Sequence, residues 1–188
     1  CLLSRGLGDV YKRQAYGRQS QGTVRLHLLD LPVSQYGVDM ADHTDDLRLA
    51  HILADDADSL TMSRFGARDL TVSTKPDHSE VTDADLAVED SVRRTLSRMR
   101  SRDAVHGEER ADTGDGPRRW IIDPIDGTAN FLRGVPVWAT LIALSVEDQI
   151  VASVVSAPAL KRRWWAARGS GAWLSLIHIS EPTRQEAI

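Results

Sequence analysis

The chain has 188 residues, 41% hydrophobic and 27% charged, an ordinary composition for one soluble globular domain. Its formal charge of -4, from 27 acidic and 23 basic residues, excludes the broad basic field that recruits nucleic acid or an anionic membrane and leaves a small molecule as the expected partner. A lone Cys1, and no apolar run near the roughly 20 residues of a membrane helix, point to a reducing, cytoplasmic setting without disulfides or a bilayer span.

Residues 1–39 hold no helical or strand period, and Gly6, Gly8, Gly17, Gly22, Pro32 and Gly37 interrupt them irregularly, so they read as an unstructured or non-native leader. Cys1 to Gln14 and Leu174 to Ile188 resemble translated sequencing-adapter read-through. Both ends are therefore expected to be foreign, with Met40 as initiator, 40–173 as a metal-binding α+β subdomain and 174–188 as a non-native tail. Leu47, Ala50, Leu53, Ala54, Ala57 and Leu60 recur at helical steps behind Thr44, Asp45 and Asp46, which predicts a helix over Asp45 to Phe65. Leu70 to Pro76 reads as a strand or extended arm, followed by a polar loop. Thr82 with Asp85 resembles a capping box, and Leu86, Val92, Leu96 and Met99 continue on one face, predicting a second helix over Asp83 to Met99. Trp120 to Ile122 is a short strand, Val137 to Val146 and Ile150 to Ser156 form a hairpin about Glu147 and Asp148, and Arg162 to Ala167 is a strand before a turn at Gly169 to Gly171. Two helices packed on a mainly antiparallel sheet make the fold class α+β.

The chemistry concentrates in Asp123-Pro124-Ile125-Asp126-Gly127-Thr128, where an apolar strand ends in two acids three residues apart. Two carboxylates held that close repel each other unless a cation lies between them. Oxygen ligands alone suit magnesium, which takes few carboxylates and keeps sites for water and substrate phosphate. Glu108, in Gly107-Glu108-Glu109, can fold beside them, and Gly127 and Thr128 offer backbone amides and a hydroxyl to a phosphate.

Taken together, Gly107-Glu108-Glu109, the Asp123 to Thr128 block with Asn130-Phe131, and the upstream Lys75, Thr82-x-x-Asp85 and Glu89 resemble the inositol monophosphatase family over about Asp45 to Trp173. Arg133 to Ala139 and Arg162 to Gly169 resemble its actinobacterial histidinol-phosphatase branch. The resemblance implies the N-terminal half of the family's sugar-phosphatase fold and a magnesium-dependent phosphomonoesterase acting on histidinol phosphate, with inositol 1-phosphate or a nucleotide 3'-phosphate as alternatives. By the same resemblance, Glu108, Asp123, Asp126 and the carbonyl of Ile125 ligate two or three magnesium ions. Glu108, Asp85 and Thr128 would orient and deprotonate the attacking water, and Gly127 and Thr128 would hold the phosphate. The family draws a further metal-binding aspartate and much of its substrate wall from a C-terminal subdomain that residues 1–188 do not contain, so a non-catalytic fragment is a third reading. Family members are commonly homodimers.

Several residues carry plainer readings. Trp164 and Trp165 face opposite ways on a strand and are expected to pack rather than bind. His106 is expected at the surface, since magnesium prefers oxygen. Arg93, Arg94, Arg98, Arg100 and Arg102 are expected on a solvated helix face, and Lys75 is expected to pair with the acids.

Overall fold

The computed structural model describes residues 43–76 and 78–176, with the backbone of residues 24–26. In chain order the elements are β1 (Val24–Leu26), α1 (Thr44–Arg64), β2 (Val72–Thr74), β3 (Glu80–Thr82), α2 (Asp83–Met99), β4 (Ala104–Gly107), β5 (Arg118–Asp126), α3 (Thr128–Leu132), β6 (Ala139–Val146), β7 (Gln149–Ala157), β8 (Arg162–Ala167) and β9 (Gly171–Leu176). A single 3₁₀ turn, Pro158–Leu160, links β7 to β8. Seven strands form one sheet in the order β1-β9-β8-β7-β6-β5-β4, and β2 and β3 pair separately. Every pairing in the large sheet is antiparallel except β4 with β5.

The two long helices form where the apolar spacing predicts them, and they share one face of the sheet. Leu49, Leu53 and Ala57 of α1 and Val88, Val92 and Leu96 of α2 close on Trp120, Ile122, Ile142, Leu144 and Val154, all essentially inaccessible to water. Burying side chains of this size contributes roughly 1.5–3 kcal/mol each, so this layer dominates the stability. The β6–β7 hairpin turns on Glu147 and Asp148 at φ +48° and +60°, the paired left-handed geometry of a type I′ turn. An ion network ties α1 to the sheet. Arg163 Nη1 donates to Asp55 at 2.7 Å and Nη2 to Asp58 at 2.7 Å, and Ser156 Oγ donates to Asp58 at 2.8 Å.

Four expectations need correction. The leader is not wholly without structure, because Val24–Leu26 adds a strand to the edge of β9, satisfying backbone groups without needing an amphipathic period. There are three α-helices among the described residues rather than two, since α3 is too short to show a period. The strand beginning near Trp120 spans nine residues, Arg118–Asp126, and carries the acidic block inside it. Arg93 is not solvated: its side chain is 14% exposed and its Nε donates to Glu89 at 2.8 Å. In addition, β9 runs to Leu176, pairing Leu174 with Trp164 and Leu176 with Arg162. The rest of the expected leader, Met40 and residues 177–188 lie outside the described residues.

Candidate active site

The parallel pair β4–β5 sends both carboxyl ends to one edge of the sheet, the end at which open α/β arrangements bind ligands. Gly107 pairs with Ile122, so the next residues along, Glu108 and Asp123, become neighbours. Beyond Asp123 the β5–β6 register slips: Asp123 pairs with Leu141, whereas Asp126 pairs with Ala139. The bulge adds one residue at Pro124-Ile125, where Pro124 has no N–H to give the ladder, and Thr140 Oγ1 donates to its carbonyl at 2.8 Å. An odd spacing that would put Asp123 and Asp126 on opposite faces is thereby converted to an even one.

Gly127 ends the bulge at φ +96°, and a Cβ there would sit 3.2 Å from the Val137 carbonyl. This left-handed turn starts α3 and presents Thr128. Beneath the turn, Phe65, Phe131 and Trp138 pack ring on ring at 5.0–5.5 Å and bury Ile125 with them. Trp138 Nε1 is buried without an acceptor among the described residues.

Asp85 arrives from a different direction. As the third residue of α2 it completes a capping box, accepting from the Thr82 amide at 2.9 Å and the Thr82 hydroxyl at 2.5 Å, both through Oδ2. The box leaves Oδ1 to face Thr128, whose Oγ1 lies 3.3 Å from it and 3.0 Å from the Ile125 carbonyl. Lys75, in the loop between β2 and β3, places Nζ 2.9 Å from Glu108 Oε1 and 2.7 Å from Glu109 Oε1. Burial opposes the Lys75 charge, but the hydrogen bonds to Glu109 and Glu108 outweigh it and raise its pKa. His106 stands at the surface against Asp112, 2.7 Å away.

The site is short of positive charge. Burial, reinforced by the neighbouring Glu108, Asp126 and Asp85, pushes the Asp123 carboxyl up to about 8. Burial and then Glu108 raise Asp126. Asp85 is also raised by burial, against the hydrogen bonds from Thr82 that lower it. Among the described residues, Asp123 Oδ1 is buried without a hydrogen-bond partner. An orphaned carboxylate oxygen among repelling acids fits a hard divalent cation in charge and donor type. In this arrangement, with Glu108 engaged by Lys75, no three His, Cys, Asp or Glu side chains among the described residues are grouped to hold an ion.

Residues 43–187 match the model of the inositol monophosphatase family. The chain belongs to that family. It is 61% identical over 138 residues to a histidinol-phosphatase of Streptomyces coelicolor, covering 71% of this chain and 52% of that protein. A histidinol-phosphatase of Mycobacterium tuberculosis is 62% identical over 133 residues, covering 70% and 51%. In three dimensions it is similar to the extragenic suppressor protein suhB from Bartonella henselae, with a TM-score of 0.68 and 32% identity over 76% of this chain and 56% of that one. The chain spans about half the length of the curated relatives it matches.

Within this family member, the structure gathers Glu108, Asp123, Asp126, Gly127, Thr128 and Asp85 at one end of the sheet, with Lys75 above the glutamates. Sequence reasoning overlooked what Glu89 and Arg93 do there. Glu89 accepts from the Glu109 amide at 2.7 Å and the Arg110 amide at 3.1 Å. The available signal was a glutamate and an arginine one helical turn apart on a face otherwise made of core residues.

Proposed function

We propose that this sequence belongs to a magnesium-dependent phosphomonoesterase that hydrolyses histidinol phosphate to histidinol and phosphate. The observation that carries the chemistry is the convergence of Glu108 and Asp123 at the shared carboxyl end of β4 and β5, with one Asp123 oxygen buried and without a hydrogen bond among the described residues. The substrate rests on identity above 60% to two histidinol-phosphatases.

Glu108, Asp123, Asp126 and the Ile125 carbonyl would hold the magnesium. Bound there, the ion supplies Lewis-acid polarisation of the phosphoryl group and a lowered pKa for water. The remaining work falls to the chain itself. Thr128 Oγ1 receives the proton of the attacking water as it passes its own to Asp85 Oδ1, a carboxylate whose burial raises its affinity for a proton. Gly127 and Thr128 contribute amides from the first turn of α3, which have no intrahelical acceptor and can meet the phosphoryl oxygens as charge grows on them. Lys75 balances the glutamates when they carry excess negative charge.

Phosphate release from histidinol phosphate and from inositol 1-phosphate, assayed on the protein expressed from the full gene, tests the substrate. Preference for histidinol phosphate is expected, and preference for the inositol ester contradicts it. The half-length match favours a second reading for residues 1–188 taken alone, as a weak magnesium binder with little or no turnover. Metal binding without phosphate release by the 188-residue chain is the result expected on that reading.

A further inference from the structure

Glu89 is fully buried in α2, and a buried carboxylate is costly unless its oxygens are taken up by donors. Three donors reach it: Arg93 Nε at 2.8 Å and the Arg110 amide at 3.1 Å on Oε1, and the Glu109 amide at 2.7 Å on Oε2. Both amides belong to the loop that follows β4 and carries Glu108. Gly107, immediately before Glu108, packs its bare Cα on the same carboxylate, where a Cβ would lie 2.0 Å from Oε1. Arg93 extends the grip, with Nη1 donating to Thr113 Oγ1 at 3.1 Å and Nη2 to the Arg110 carbonyl at 3.4 Å. Thr113 closes the loop at its base through paired backbone hydrogen bonds with Val105 of 2.8 and 3.0 Å.

We infer that Glu89, neutralised by Arg93, is a positioning residue that fixes the peptide on both sides of Glu109 and so aims Glu108 at the metal site beside Asp123. The inference rests on the metal reading proposed above. Glu89 itself touches neither substrate nor ion. A carboxylate suits this post because it accepts from two successive amides and a guanidinium at once, whereas a glutamine offers one acceptor and turns an N–H toward an N–H. Removing an outer-shell partner that orients a ligand typically lowers metal affinity by about 10–100-fold.

Manganese serves as the probe, titrated into the 188-residue chain and followed by the paramagnetic resonance of the free ion. Glu89→Gln and Arg93→Gln are each expected to weaken binding by about tenfold or more while far-UV circular dichroism stays that of the parent. In the parent chain without metal, the Glu109 and Arg110 amides are expected to be protected from hydrogen exchange and to lose that protection selectively in Glu89→Gln. A parent that binds manganese with Glu89→Gln binding equally well overturns the inference alone. A parent that binds none, or binds regardless of Asp123→Asn, overturns the metal reading and the inference with it. If the variants do not fold, free exchange of the two amides in the folded parent overturns the inference.

Discussion

Asp123 carries the physical tension of the site. Its carboxyl is buried, faces Glu108 and is pushed up to about 8, so the folded chain holds a proton there that the unfolded chain releases near pH 4. The unfolded state then binds fewer protons between those values, and stability must fall as pH rises through that window. The metal-free chain is therefore expected to lose melting temperature from pH 5 to pH 8, to regain it with magnesium, and to show a flatter profile as Asp123→Asn. Thermal unfolding across pH with and without magnesium checks this, and a profile that Asp123→Asn leaves unchanged would assign the charge strain elsewhere. Gly107 supplies a second residue-scale test. An added methyl would meet the buried Glu89 carboxylate at 2.0 Å, so Gly107→Ala should cost a few kcal/mol, the range for overpacking, read from urea unfolding. That Asp123 and Asp126 would share the end of an apolar strand was legible in the sequence, because the apolar run of Trp120 to Ile122 leads straight into both acids. The Glu89–Arg93 clamp was not, because its partners lie about twenty residues along the chain and a helical arginine run reads as solvated face.

At the scale of elements, α1 and α2 were legible almost to the residue, since apolar spacing and the Thr82–Asp85 capping box mark them. The strand β4 was not legible: four residues are too few to establish alternation, and its partner β5 makes it parallel, which no hairpin turn announces. The five residues of α3 likewise show no period and owe their start to the left-handed Gly127. The arginine-tryptophan block proved structural at Arg163, which bridges β8 to α1 through Asp55 and Asp58. Burial raises the Asp58 carboxyl, so Arg163→Met, which strands it without its cation, should destabilise the fold by roughly 3–5 kcal/mol in urea unfolding. Adding Asp58→Leu should recover much of that loss, because replacing a buried ion pair by apolar side chains is often close to neutral.

Over the whole molecule, α1 and α2 cover the sheet face that presents Trp120, Ile142 and Val154, while Ile121, Val155 and Trp164 alternate onto the other face and remain half-buried. No helix among the described residues is long and apolar enough to cross a membrane. Glu108 and Asp123 meet at the carboxyl ends of β4 and β5, where we propose that they hold magnesium for phosphate-ester hydrolysis. Phosphate release from histidinol phosphate by the protein expressed from the full gene, comparing parent with Asp123→Asn and magnesium with chelator, tests it most directly. Magnesium-dependent release in the parent and background release in Asp123→Asn is the expected result; parent-level release by the variant, or release unaffected by the chelator, would contradict it.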